Sequence, residues 1–295
     1  MTRWTRGLAV LLVPFLVVAA FLLLVFADRT ETLFAWTIDP PATAMFLGCA
    51  YVGGIVFFSR VAVTRRWRSV SVGFPAVVVF AGLLLVATVV HWSRFHHGTV
   101  IFGVWAALYL TTPFAAAAVW WRSRRADRVA PTEPVGATAP GEDPDVDPDG
   151  DVIPLAWRVV LVALGAAALV VGVALTVVGL SAGPVAEIWA WPLTPLTAQV
   201  VGAVLTLPGV VDLALVVDRR YSSFRVIFQA QLVSLGALLA TMVAVRDQLA
   251  VGGLPALSLV VGLVGSFVLY LAFVLSSERR SRRARTVGAA VGGAA

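Results

Sequence analysis

The sequence predicts an all-α membrane protein of eight transmembrane helices, arranged as two tandem parallel four-helix repeats with both termini cytoplasmic. Three observations lead there. Of 295 residues, 60% are apolar and only 13% are charged, a balance suited to lipid and far from that of an ordinary soluble domain. Eight stretches are long and apolar enough to cross roughly 30 Å of hydrocarbon as helices of about 20 residues. The two halves also match in one ungapped register when residue n is laid against residue n+155.

The spans are expected near residues 7–27, 41–63, 73–91, 99–121, 155–180, 195–217, 225–245 and 254–275. The first has Arg3 and Arg6 before it and Ala27 near its end, which also describes a secretory signal, but its length suits an anchor better than the short core of a cleaved leader. The 22 basic residues are all arginine. Nineteen fall on the side of the N-terminus, the second-to-third and sixth-to-seventh loops, the central connector and the tail, and only Arg29, Arg94 and Arg246 on the other. By the positive-inside rule that asymmetry places both ends in the cytoplasm of a multi-pass cell-membrane protein. Trp4, Trp67, Trp120, Trp121 and Trp157 fall at the inner boundary and Trp36, Trp92, Trp189 and Trp191 at the outer, as expected of interfacial belts.

The repeat rests on residues that chance does not supply in an Ala/Val/Leu-rich chain. Arg3 meets Arg158, Trp36 meets Trp191, Pro40 meets Pro195, Gly54 meets Gly209, Arg65 meets Arg220, Gly98 meets Gly253, and Arg124 and Arg125 meet Arg279 and Arg280. An even number of spans per unit gives both copies one orientation, which excludes an inverted repeat. The domains are therefore a first repeat at 1–125, a connector at 126–153, a second repeat at 154–280 and a basic, then Gly/Ala-rich tail at 281–295. The connector is rich in Pro, Gly and acid without apolar periodicity, the composition of a disordered cytoplasmic linker. Within it Asp145, Asp147, Asp149, Gly150 and Asp151 reproduce the opening of a calcium loop. The closing position of that loop is Ala156 instead of a bidentate acid, so a solvated linker attracted to the nearby arginines is the simpler reading.

Composition also excludes chemistry. With no lysine there is no Schiff base to retinal and no lysine nucleophile, and the single Cys49 forms neither an internal disulfide nor a thiolate cluster. The net charge of +6 belongs to arginines flanking apolar spans and gives no reason to expect nucleic acid. No Walker loop, zinc helix or nucleophile elbow is present, so no cofactor, no bound metal and no catalytic residues are expected.

Four groups of residues stand out. Trp36 with Pro40, and Trp191 with Pro195, repeat just outside the second span of each copy. Asp39 and Thr194 suit N-caps there, with proline in the first turn, which reads as scaffold. Asp212, Arg225 and Gln229 occur only in the second copy, where the first has Phe57, Val70 and Phe74. At matching depths on adjacent antiparallel helices they are expected to meet inside the bundle, as a functional polar site or as a structural ion pair. His91, Arg94, His96 and His97 cluster on the loop between the third and fourth spans. Histidines there can bind metal or sense pH, but with no acid or thiol to complete a shell a solvated loop is expected. Pro14, Pro113 and Pro208 interrupt spans and each frees a carbonyl, which Thr111, Thr112 or a neighbouring helix would satisfy.

The segment Leu33-Phe34-Ala35-Trp36-Thr37-Ile38-Asp39-Pro40-Pro41-Ala42-Thr43-Ala44 resembles multi-pass integral membrane proteins of high-GC actinobacteria, a resemblance that implies no activity. Two functions are then expected. The first is a small permease or binding protein for a neutral or lipophilic solute entering between the two halves, which parallel duplication and the polar second copy favour. The alternative is a non-catalytic membrane subunit or scaffold that assembles with a membrane partner protein, favoured by the sparse polar interior. In either case the lipid bilayer is the first partner.

Overall fold

A computed structural model describes residues 2–129, 152–181, 189–249 and 253–292, without the side chains of 126–129 and 282–292. The calcium-loop-like run and nearly all of the acidic connector lie outside the described residues. The elements are α1 (Arg3–Val25), α2 (Thr30–Leu33), α3 (Pro41–Val63), α4 (Arg68–Ser71), α5 (Gly73–Val90), α6 (Val100–Val129), α7 (Leu155–Gly179), α8 (Pro195–Leu213), α9 (Tyr221–Ala244) and α10 (Leu254–Gly292). Eight helical segments are long and apolar enough to cross a membrane: α1, α3, α4 with α5, and α6 to α10. Among the described residues there is no strand. The chain is an integral membrane protein of the all-α class.

Local chemistry sets the helix starts. Thr2 accepts from the Thr5 amide at 3.3 Å, and Thr194 forms a reciprocal capping box with Thr197 before Pro195 opens α8, filling donors that would otherwise be unpaired in an apolar setting. Asp39 does not cap α3: the N-cap is Pro40, with Pro41 as the first helical residue. Proline needs no amide partner there. Pro14, Pro113 and Pro208 lie inside continuous helices, and Thr111 returns its hydroxyl to the Ala107 carbonyl at 2.7 Å. Helix ends are tied across spans. Arg6 donates to the Thr64 carbonyl past the end of α3, and Arg158 donates at 3.0 Å to the Leu215 carbonyl past the end of α8, each meeting the negative end of a helix dipole. Helix α10 continues well beyond residue 275, and α6 runs to Val129, into the expected connector. At the other end of that connector Ile153 is buried and its amide donates to the Arg219 carbonyl at 2.8 Å.

Helix packing is crosswise. Within the first half α1 lies on α3 and α5 on α6; within the second, α7 lies on α8 and α9 on α10. Between halves, α3 packs on α9 and α5 on α8, with α3 touching α8 at the centre. Specific bonds fix the cross-pairing: Ser234 donates to the Cys49 carbonyl at 2.8 Å, the Ala42 amide donates to Gln248 Oε1 at 2.8 Å, and Trp191 Nε1 donates to Thr43 Oγ1 at 2.8 Å.

The tryptophans correct one expectation. Trp36 and Trp191 do not sit in a lipid-facing belt but are among the largest fully buried side chains, and Trp189 and Trp67 are buried too. Trp36 is enclosed by Phe34, Phe95 and Trp105, and Trp191 by Phe46 and Trp189. Edge-on aromatic packing holds the interhelical loops inside the far end of the bundle. Trp4, Trp92 and Trp121 are exposed as expected.

Candidate functional site

The cross-packed spans do not close completely. Between them lies a cavity of about 520 Å³ to which all eight contribute, within the range of pockets that enclose drug-sized ligands. Its wall is predominantly aliphatic and aromatic. On the first-half side Leu12, Leu16, Phe57, Phe80 and Leu108 line it; on the second-half side Leu164, Val171, Leu205, Leu259 and Leu263. A small residue lets α3 and α9 approach closely beside the cavity. Gly53 of α3 stands so near α9 that a Cβ on it would be 3.0 Å from Ser234 Cβ.

Few polar groups line the space, and they form two poles. On one side the Tyr51 and Tyr109 hydroxyls hydrogen-bond each other at 2.7 Å, both rings buried, with Thr112 nearby in the lining. The second half contributes Gln231, Ser234, Ser258, Ser266 and Tyr270. Tyr270 donates to Asp212 Oδ2. Gln231 lines the same cavity as Tyr270, and its buried side-chain nitrogen and oxygen make no hydrogen bond among the described residues. A pocket of this kind orients a ligand through a small number of placed donors and acceptors while apolar contact supplies the affinity.

Asp212 is fully buried behind the pole, with Oδ1 lacking any partner among the described residues. Its neighbour across the helix interface is Gly165 of α7, where a Cβ would stand 2.4 Å from Asp212 Cβ. The glycine is what lets a carboxyl fit there. Arg225 does not join Asp212. It forms a bidentate pair with Glu278 of α10, Nε to Oε1 at 2.6 Å and Nη2 to Oε2 at 2.9 Å, and the Tyr221 hydroxyl adds a 3.2 Å bond to the same carboxylate. Fork geometry makes Arg–carboxylate the favoured partnership, and Glu278 becomes available because α10 continues past residue 275. Gln229 is half-buried and has no hydrogen bond among the described residues. The expected trio thus separates into an Asp212–Tyr270 pair next to the cavity and an Arg225–Glu278 pair nearer the chain termini.

The histidine loop separates likewise. His96 bonds Thr37 Oγ1 and the Phe34 carbonyl, both at 3.1 Å, and His97 Nε2 meets the Trp92 carbonyl at 2.8 Å. His91 lies by Gly179, and burial holds its imidazole below the ordinary histidine range, with Gly179 opposing the shift and Arg94 adding to it. His96 and His97 each have their own partners, His91 Nε2 is buried with none among the described residues, and among those residues no three His, Cys, Asp or Glu side chains gather as metal ligands.

Tyr51, Tyr109, Gln231, Tyr270 and Glu278 escape the residue-by-residue reading. One signal marks part of the site in advance: Ser258, Gly262, Ser266 and Tyr270 recur at every fourth position of α10, a small and polar stripe on one helix face.

No family model, curated protein or solved structure matches the chain, so the functional reading rests on this geometry.

Proposed function

We propose that the protein is a membrane permease or binding protein for a neutral, lipophilic solute held between its two halves. The observation that carries the reading is the largely apolar cavity of about 520 Å³, with isolated hydrogen-bonding groups at Tyr51–Tyr109 and Gln231–Tyr270. A charged solute would find no free counter-ion on that wall, whereas a neutral one loses little on leaving water or lipid for it.

Two structural proposals accompany it. The chain is a tandem parallel duplication with both termini cytoplasmic. Crosswise packing supports this, because exchanging n for n+155 carries the α1–α3 contact onto α7–α8, α5–α6 onto α9–α10, and α3–α9 onto α8–α5. The solute site lies where the second copy has departed from the first, since Asp212, Gln231 and Tyr270 replace Phe57, Ala76 and Ala115.

Equilibrium titration of the purified protein with a neutral naphthylamine fluorophore tests the site. Saturable binding at one equivalent, weakened about tenfold or more by Ser266→Phe, is the expected result; a tenfold change corresponds to about 1.4 kcal/mol. Non-saturable partitioning that is identical in wild type and variant contradicts it. A stoichiometric membrane partner co-purifying with a chain that binds no solute would replace it with the subunit reading.

A further inference from the structure

The cavity is closed on one flank and open on the other. In its first-half lining Leu12, Leu16, Phe57, Ala81 and Tyr109 are buried, and the remaining lining residues are buried or half-buried, none exposed. Four lining residues are well exposed, and all belong to the second half: Ala167 and Val171 of α7, and Ser258 and Gly262 of α10. Among the described residues α7 and α10 scarcely touch, whereas α1 and α6, at the matching positions of the first half, are in contact. Helices α7 and α10 meet toward the termini, where the Trp157 and Phe273 rings lie 5.5 Å apart.

The far side of α7 is packed closely on α8. Gly165, Gly172 and Gly179, seven residues apart, present backbone to α8. A Cβ on Gly172 would be 2.8 Å from the Gly202 carbonyl oxygen, and one on Gly179 would be 2.5 Å from that of Pro195. Such a zipper brings helix axes close. The matching positions of α1 are Val10, Val17 and Leu24; Val10 and Val17 are exposed, and only Leu24 packs on α3, against Gly48. Helix α7 is thus held tightly on α8.

Ser258, Gly262, Ser266 and Tyr270 form the floor of this gap. At 1.5 Å per residue the stripe runs about 18 Å along α10, from the exposed mouth to the hydroxyl bonded to Asp212, in a lining shared with the Gln231 amide, which has no hydrogen bond among the described residues. We infer that a neutral amphiphile with a hydroxyl or carbonyl head enters the cavity sideways from the lipid, between α7 and α10, its head following this stripe to Tyr270 and Gln231. Resting on the binding reading above, this inference adds the route and the class of solute. The first half, lacking the gap, admits nothing at the equivalent place.

Access can be measured without knowing the solute. In proteoliposomes, in a Cys49→Ala background, Ser266→Cys is exposed to a lipid-soluble phenylmaleimide and to a membrane-impermeant sulfonated maleimide. The lipid-soluble reagent is expected to label and the sulfonated one not to. Adding Gly262→Trp at the mouth, where a Cβ meets open space, should slow labelling about tenfold or more, as should Ser258→Trp. Ala107→Trp, at the matching position of α6, should leave the rate unchanged. Labelling that ignores both mouth variants, or is equally fast with the sulfonated reagent, overturns the portal while leaving the binding cavity standing. Failure of both reagents to reach Ser266→Cys overturns portal and cavity together.

Discussion

A buried carboxyl with a single donor is costly to maintain, and Asp212 is that case: Tyr270 serves one oxygen and the other has no partner among the described residues. Tyr270→Phe should therefore destabilise the protein by ~1–3 kcal/mol, the cost of leaving a buried polar group unsatisfied. The double variant Asp212→Leu/Tyr270→Phe, which removes both polar groups, should recover most of that loss. Thermal unfolding in detergent measures both, and equal stability of wild type and Tyr270→Phe would dismiss the pair as an energetic element. The sequence marks Asp212 plainly, because an acid inside an apolar run is conspicuous in any copy and more so opposite Phe57. It hides the partner, because Tyr270 lies 58 residues away on a helix not adjacent in sequence, and spacing along one helix says nothing of which distant span it meets. Arg225 is misassigned for a related reason: hydropathy lets the last span stop near residue 275, which leaves Glu278 outside the expected span although it sits on the same helix.

Helices are legible where pairing between them is not. Apolar runs bounded by arginine, proline and glycine give all eight spans, since lipid leaves a backbone little choice but to satisfy itself within a helix. Burial is less legible, and the two repeated tryptophans show why: an aromatic at a helix entry can face lipid headgroups or fold back over the bundle, and composition is the same in both cases. The glycines of α7 are readable as a seven-residue spacing, but their consequence, close backbone contact with α8, needs the packing. Gly172→Val should cost ~1–3 kcal/mol or more through overpacking against the Gly202 carbonyl, seen as a lower unfolding temperature. Gly82→Ala, whose Cβ meets nothing within 4 Å, should be near neutral. Comparable losses at both positions would remove the zipper as the cause of the tight α7–α8 contact.

The chain is a bundle whose halves interlock and whose interior stays open, an arrangement useful for holding a solute and wasteful for a passive scaffold, because unfilled space forfeits packing contacts. Orientation is argued from nineteen arginines at the termini side. Reporter fusions within 126–153 should accordingly report a cytoplasmic connector, and an extracytoplasmic signal would invert the whole assignment. Cavity occupancy is the more direct test of what the bundle is for. Native mass spectrometry of the protein extracted from its own membranes should show one neutral adduct on the wild type and its loss in Ser266→Phe, with both proteins monodisperse. Bare wild-type protein, or the same adducts on both, would contradict the account.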